Sequence, residues 1–151
     1  MNNCPRATYD ILYNLKKRDW AFKNVGYGAA NPDEPGDFWE KKASEWNTTP
    51  ENAQTMRCGN CSAFIQTPEM MECIVNGIQG EESDAETYAP EVVDSADLGY
   101  CELFEFKCAA DRTCSAWLVG GSIKEKMTPK QRAMVKMAKL EAEQEYGGMD
   151  D

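Results

Sequence analysis

The chain has 151 residues, a formal net charge of −10 and no histidine. This length predicts one compact domain, and the lack of histidine excludes Ser/His or Cys/His catalysis and Rieske-type cluster ligation. The acidic balance argues against tight nucleic-acid binding, because neutralising phosphates needs clustered Lys and Arg. No apolar run is long enough to cross a membrane, so we expect no membrane span.

The N-terminal segment predicts an amphipathic helix over residues 8–22. Its apolar positions, Ile11, Leu12, Leu15 and Phe22, recur at helical spacing. The residues before this helix contain no basic region followed by an apolar stretch, so no signal peptide is predicted. We therefore expect the protein to reside in the cytoplasm.

Turn residues dominate the stretch from Gly26 to Pro50. Between these breakers, residues 37–46 predict a short helix. Its two tryptophans, Trp39 and Trp46, are predicted to pack inside the protein rather than to bind a ligand.

Six of the seven cysteines lie between residues 55 and 122, where short apolar segments predict short regular elements. The odd count, with no leader, argues for metal ligation rather than a pure disulfide framework. Residues 81–97 in this region contain seven acidic residues and no basic one. They predict a solvated surface loop, and the alternative is a docking patch for a basic redox partner.

The last segment predicts a helix with clear end signals. Thr128 suits the N-cap, Pro129 the first helical position, and Gln131 completes a capping box. The helix is predicted to end at Gly147-Gly148. Packing against the domain is predicted for its apolar face, which consists of Ala133, Met134, Met137, Ala138 and Leu140.

Four cysteines stand in two fragments that belong together, Cys58-Gly-Asn-Cys61 and the segment from Cys101 to Cys114. Four thiolates can hold a [4Fe–4S] cluster or a tetrahedral zinc ion. The closely spaced run of cysteines found in bacterial ferredoxins is absent. A zinc ribbon would need a second compact Cys-x2-Cys pair, and the second pair here is far too widely spaced.

The residues around these cysteines resemble those of the high-potential iron–sulfur proteins. Gly-Asn inside the first pair, Cys-Glu-Leu-Phe from Cys101 and Cys-Ser-Ala-Trp from Cys114 carry the resemblance, which covers residues 25–121. It implies one [4Fe–4S] cluster held by Cys58, Cys61, Cys101 and Cys114.

The third ligand has a rival in Cys73. The separation of Cys73 from Cys61 is nearer to the family spacing, but its surroundings, Met-Glu-Cys-Ile-Val, lack the family motif. The motif is present at Cys101, so Cys101 is the predicted ligand. That choice makes residues 62–99 carry an insertion relative to the family.

The resemblance also implies an aromatic cage around the cluster. Tyr27, in Val-Gly-Tyr, matches an early tyrosine of the family whose ring packs on the cluster. The other candidate cage residues are Phe64, Phe104, Phe106, Trp117 and Leu118. A cage that excludes water penalises the more highly charged state, so the 3+/2+ couple is expected instead of the 2+/1+ couple.

The predicted structure is a small irregular α+β metal-cluster fold with short strands and turns around the cluster and helices at both termini. It divides into a helical extension (1–24), a cluster domain (25–122) and a C-terminal helix with an acidic tail (123–151). The predicted function is a soluble one-electron carrier, not an enzyme, that works with redox partner proteins. The alternative is a structural or partner-binding protein whose four-cysteine site, iron–sulfur or zinc, only staples the fold. The family is usually exported, which differs from the cytoplasmic residence expected above.

Three cysteines remain after ligation. Cys73 and Cys108 are predicted either to form a disulfide or to be two buried free thiols. Cys4 lies near the terminus and is expected to be exposed and reactive.

Overall fold

A computed structural model describes residues 4–29, 36–79 and 97–146. Its helices are α1 (Arg6–Tyr9), α2 (Ile11–Asn24), α3 (Phe38–Trp46), α4 (Pro50–Ala53), α5 (Pro68–Gln79) and α6 (Pro129–Tyr146). Its strands are β1 (Phe64–Ile65), β2 (Leu98–Cys101) and β3 (Phe106–Ala109), and a 3₁₀ helix spans Cys58–Asn60. Within these ranges, the predicted mixed fold of short strands with helices near both termini is confirmed. All but the last residue of the acidic run 81–97 lies outside the described residues.

The three strands form an antiparallel sheet in the order β1-β2-β3. Cys101, at the end of the central strand, lies opposite Phe64 on one side and Phe106 on the other. Directly opposed residues of a sheet point to the same face. The sheet therefore places the third candidate ligand between two phenylalanines, both of which are fully buried.

The helix predicted over residues 8–22 is two helices, and the break lies at Asp10. The Asp10 side chain caps α2, because its carboxylate accepts a hydrogen bond from the Tyr13 N–H at 3.1 Å. An Asp at this position satisfies one of the free N–H groups at a helix start. The apolar face predicted for this helix is wrong at its start, since Ile11 is 59% and Leu12 78% exposed.

Polar contacts explain why α2 turns another face to the protein. Its buried residues include Asn14 and Lys17. The side-chain amide oxygen of Asn14 accepts a hydrogen bond from the Lys107 N–H of β3 at 2.7 Å, and the Lys17 ammonium lies 3.7 Å from the Glu105 carboxylate. These polar contacts with β3 and with Glu105 thus decide which face of α2 packs against the protein, and the hydrophobic pattern of the helix does not.

The capping box of α6 is confirmed. The Thr128 hydroxyl accepts a hydrogen bond from the Gln131 N–H at 3.1 Å, and the Gln131 side chain accepts one from the Thr128 N–H at 2.9 Å. The predicted packing face is wrong for Ala133, which is exposed, and for Met134, Met137 and Leu140, which are 43%, 60% and 49% exposed.

Small residues form the face of α6 that packs against the protein. Val135 and Ala142 are buried, and Ala138 is half-buried against the main core. Their short side chains let the helix axis approach that core closely. This packing leaves the larger methionines on the outside. None of the helices that the structure describes is long and apolar enough to span a membrane.

Glu105, in the turn between β2 and β3, joins both long terminal helices to the sheet. Its carboxylate accepts a hydrogen bond from Lys139 of α6 and pairs with Lys17 of α2. Burial raises the pKa of Glu105, but the hydrogen bond and charge of Lys139 outweigh it and leave the pKa below its usual value. The same turn follows directly on Cys101.

Helix α3 is confirmed at Phe38–Trp46, within the predicted range. Its Trp39 is 4% exposed and packs with Ala43 and Ala53, and Trp46 is partly buried beside them. The Arg57 guanidinium lies 4.9 Å from the centre of the Trp39 ring. The tryptophans are packing residues, as predicted.

The disulfide of this protein joins Cys4 to Cys73 of α5, and its Cα atoms are 5.5 Å apart. The predictions for Cys73 and Cys4 are therefore wrong: Cys73 neither pairs with Cys108 nor remains a thiol, and Cys4 is half-buried in the crosslink. Cys108 is a free, buried cysteine. For this residue the prediction of a buried free thiol is correct. Disulfides are typical of oxidising compartments, and cytoplasmic residence stays a prediction.

Gly77 accounts for the unexpected pairing. A Cβ at Gly77 would lie 1.6 Å from the Thr8 carbonyl oxygen, so only glycine lets α1 rest directly on α5. This close approach brings the start of the chain to the helix that carries Cys73. Nothing in the spacing of the cysteines indicates such a contact.

We predict that Cys73→Ser lowers the free energy of unfolding. The bond joins residues 69 apart, and closing a loop of this length stabilises a protein by about 4 kcal/mol on the loop-entropy model. Urea unfolding of the oxidised protein measures the loss. Cys4→Ser is the matched control and should lose the same amount. Equal stability of the wild type with and without a disulfide reductant would contradict the prediction.

Candidate metal centre

The first cysteine pair lies on the 3₁₀ helix, which hydrogen bonds fix to the segment after β3. The Cys58 N–H donates to the Arg112 carbonyl at 2.6 Å, and the Gly59 N–H donates to the Ala110 carbonyl at 2.9 Å. A Cβ at Gly59 would meet the Ala110 Cβ at 3.1 Å, so glycine suits this close contact. The turn therefore has a fixed position before any metal binds.

Asn60 ties the same turn to its surroundings. Its side-chain oxygen accepts hydrogen bonds from the Arg57 N–H and the Trp117 indole N–H, both at 3.0 Å. Its amide nitrogen donates to the Thr55 carbonyl at 2.7 Å. The Gly-Asn between the two cysteines thus has a structural reason, and Trp117 is held beside Cys61.

Cys101 is held by the hairpin that follows it. The Glu102 N–H donates to the Ala63 carbonyl at 2.9 Å, and the Glu105 N–H donates to the Cys101 carbonyl at 2.8 Å. The Cys108 side chain first, and then the backbone N–H groups of Phe104 and Leu103, lower the pKa of Cys101 against the effect of burial. The Leu-Phe of the motif therefore serves through its backbone as well as its side chains.

Cys114 is positioned by the segment that carries Tyr27. Thr113 and Gly28 exchange two backbone hydrogen bonds of 2.7 and 3.0 Å, and the Ser115 N–H donates to the Val25 carbonyl at 2.8 Å. The predicted tyrosine segment and the fourth ligand segment thus lie side by side.

The Tyr27 ring is buried among the predicted cage residues. Its hydroxyl accepts a hydrogen bond from the Ala109 N–H at 2.9 Å, and its ring meets Phe106 edge-on, with centroids 4.9 Å apart. Burial raises the pKa of Tyr27, so its hydroxyl stays protonated. The ring serves as an apolar wall with its polar group satisfied.

The structure brings all eight predicted site residues to one place. Cys58, Cys61, Tyr27, Phe64 and Phe104 belong to a single buried cluster, and Cys101, Cys114 and Trp117 pack against it. The remaining cage candidates, Phe106 and Leu118, lie there as well. Cys73 is held in the disulfide on α5, so the rival third ligand is committed elsewhere.

The four sulfurs act on one another electrostatically. Burial, followed by smaller effects of Cys101 and Cys58, raises the pKa of the Cys61 thiol to about 12. Burial and the charges of the other three cysteines raise the pKa of Cys114 well above its usual value. Metal binding at such a site must displace protons from thiols that are otherwise neutral.

Backbone N–H groups oppose this cost. The Leu118 N–H donates to the Cys61 sulfur at 3.4 Å. Against the effect of burial, the Ala63 N–H lowers the pKa of Cys61 and the Ala116 N–H lowers the pKa of Cys114. Hydrogen bonds to a thiolate favour its charged form, so the backbone is already arranged to support ligands.

The spacing that thiolate ligands need depends on whether they bind one ion or a cluster. A tetrahedral zinc ion, with Zn–S bonds of about 2.3 Å, would hold its sulfurs about 3.8 Å apart. Among the described residues, no three His, Cys, Asp or Glu side chains are grouped closely enough to share one ion. In an iron–sulfur cluster each thiolate binds its own iron, so the sulfurs lie further apart.

Both terminal helices contribute to the cage, which the sequence analysis did not foresee. The Trp20 ring of α2 lies 5.7 Å from that of Phe104, and the Tyr146 ring of α6 lies 6.4 Å from it. The Phe22 ring lies 5.2 Å from that of Tyr27. Trp20, Phe22 and Tyr146 lie outside the predicted cluster domain, and their aromatic side chains are the sequence signal that could have indicated this contribution.

A buried cation lies near the fourth ligand and was also missed. The Lys42 ammonium of α3 donates to the Ser115 hydroxyl at 2.9 Å and to the Glu45 carboxylate at 3.2 Å. Gly26 has a φ of +61°, and a Cβ there would lie 2.5 Å from the ammonium nitrogen. Glycine before Tyr27 thus leaves room for the Lys42 ammonium, which bonds to Ser115 in the segment that carries Cys114.

Comparison with protein-family models, with curated proteins and with solved structures found no match for this chain.

We predict strong energetic coupling between Gly99 and Phe64. Gly99→Ala should destabilise the fold by about 1–3 kcal/mol, because the new Cβ would lie 2.4 Å from the Phe64 ring. The double variant with Phe64→Leu should lose less unfolding free energy than the two single variants added together, by more than about 0.5 kcal/mol. Urea unfolding of the four proteins measures this cycle. Additive costs would show that the ring does not cover Gly99.

Proposed function

We propose that this protein is a one-electron carrier that holds one [4Fe–4S] cluster on Cys58, Cys61, Cys101 and Cys114. The observation that carries the proposal is the convergence of these four motif cysteines on one aromatic core. The four come from separate parts of the chain: a 3₁₀ helix, a strand end and a loop. Such convergence supports a shared ligand rather than four independent packing roles.

The residues around the sulfurs would set which redox couple operates. A bound cluster of this type supplies a one-electron couple. Tyr27, Phe64 and Phe106 are each no more than 5% exposed and would keep water from the sulfurs. Loss of water penalises the state of highest charge, whereas the backbone N–H groups at Cys61, Cys101 and Cys114 stabilise negative charge. The 3+/2+ couple is the one that this balance favours.

The proposed role is electron transfer rather than catalysis. Four thiolates complete the ligation of such a cluster, so no position remains for a substrate. The chain also lacks histidine, the usual general base. An electron would pass through the cage to and from redox partner proteins, which donate and accept it.

Metal analysis of the purified protein and two serine variants tests the proposal. The wild type should be brown and contain about four irons per chain. Cys101→Ser should lose iron or hold an unstable centre, because it removes one of the four ligands. The matched variant Cys73→Ser removes a cysteine of the disulfide and should keep full iron.

Two results would contradict this assignment. Loss of iron in Cys73→Ser with retention in Cys101→Ser would show that the third ligand is wrong. A colourless wild type with one stoichiometric zinc after anaerobic purification would replace the carrier by a structural metal site.

A further inference from the structure

Helix α6 leaves most of its surface open to solvent. Only two of its 18 residues, Val135 and Ala142, are buried. A helix in a folded protein gains most of its stability from packing one face against another element. Because α6 packs on the core through a narrow face of small residues, the remaining surface of the helix is accessible to a partner.

An apolar face runs along the open side of α6. Met134, Met137 and Leu140 are exposed there, and so is Ala133. These residues recur at intervals of three and four, so they lie on one side of the helix. Exposed apolar side chains that share one face mark a surface for interaction with another protein chain.

The charges of α6 are segregated along its length. Every charge up to Lys139 is positive, and every charge from Glu141 to the end of the helix is negative. The helix dipole favours the opposite order, with acidic residues at the start and basic residues at the end. Like charges also lie four residues apart, at Arg132 and Lys136 and at Glu141 and Glu145, which is unfavourable within one helix. A second chain could balance these charges better than α6 does alone.

Both signs of charge border the apolar face on each of its sides. With 3.6 residues per turn, Lys130 and Glu141 lie along one side, and Lys136 and Glu143 lie along the other. All four are exposed, and none forms a salt bridge with another residue in the described part of the chain. Each side of the face therefore runs from positive to negative along the helix.

We propose that α6 pairs with α6 of a second copy of this chain, in an antiparallel arrangement about a twofold axis. Antiparallel pairing sets the positive first half of one helix beside the negative second half of the other, on both sides of the apolar face. A twofold axis makes these two contacts identical and closes the dimer. Parallel pairing would instead set like charges side by side. The inference does not depend on the proposed metal centre.

The size of this surface predicts a weak dimer. At 1.5 Å per residue α6 is about 27 Å long. One helix from each subunit gives an interface at the small end of specific protein–protein contacts. We therefore expect monomer and dimer to exchange as the protein concentration changes.

Sedimentation equilibrium over a range of protein concentrations tests the pairing. The mass of the wild type should approach twice the 16.9 kDa of the chain as the concentration rises. Met137→Glu places a charge in the apolar face and should raise the dissociation constant of the dimer by about tenfold or more. The matched control Leu12→Glu changes an exposed apolar residue of α2 and should leave the dissociation constant unchanged.

Charge reversal tests the antiparallel orientation. The double variant Lys130→Glu with Lys136→Glu should weaken the dimer, because like charges then face each other. The double variant Glu141→Lys with Glu143→Lys should weaken it for the same reason. All four changes in one chain should restore the dimer. Each reversal agrees with the helix dipole, so circular dichroism and the melting temperature should show that α6 stays folded.

Several results would overturn this proposal. These are a wild type that stays monomeric at every concentration, a dimer that Met137→Glu leaves intact, and a quadruple variant that does not recover the dimer. Equal weakening by Leu12→Glu would place the contact on α2 and overturn it as well. Iron content should be the same in all of these variants, so loss of the dimer and loss of the metal centre are distinguishable.

Discussion

Several cysteine sulfurs lie in one apolar core, and the surrounding structure is arranged around this constraint. Burial disfavours thiolates, and each raised thiol pKa in the core reflects that cost. The chain offsets part of the cost with backbone N–H groups that favour the thiolate forms of Cys61, Cys101 and Cys114. These donors are rigid because the turns that carry them are fixed by other backbone hydrogen bonds. Such an order of the cysteines supports the proposed binding site, because a preorganised site costs less to complete when a ligand binds.

The outer parts of the chain support this core mechanically. Glu105 ties α2 and α6 to the hairpin that follows Cys101, and both helices add aromatic rings to the cage. The disulfide acts where α1 rests on α5. A small domain with an irregular core gains stability from such crosslinks. The terminal helices are thus structural neighbours of the site and not only additions to it.

The sequence predicts the structure correctly where a residue acts through contacts with its near neighbours in the chain. The capping box at Thr128 and Gln131 depends on contacts between near neighbours in the chain. Helix orientation depends instead on distant partners. Leu12 is exposed because Asn14 and Lys17 bond to the sheet, and no periodicity of α2 encodes those partners.

The cysteines show the same difference between local and distant contacts. The motif at Cys101 distinguishes it from Cys73 through its immediate neighbours, and the structure places Cys101 with the other three sulfurs. The pairing of Cys4 with Cys73 could not be read from spacing, because it depends on the contact that Gly77 permits between two helices.

We propose that an aromatic cage that excludes water sets the redox couple of a reversible electron carrier. Electron paramagnetic resonance of the iron-loaded protein, recorded after stepwise oxidation and after treatment with dithionite, tests it most directly. The account predicts a paramagnetic signal on oxidation that disappears on re-reduction through several cycles, and no reduction by dithionite in the folded state. A signal that appears readily on mild reduction would mean that water reaches the sulfurs. Irreversible loss of the cluster on the first oxidation would mean that the metal serves the fold and not electron transfer.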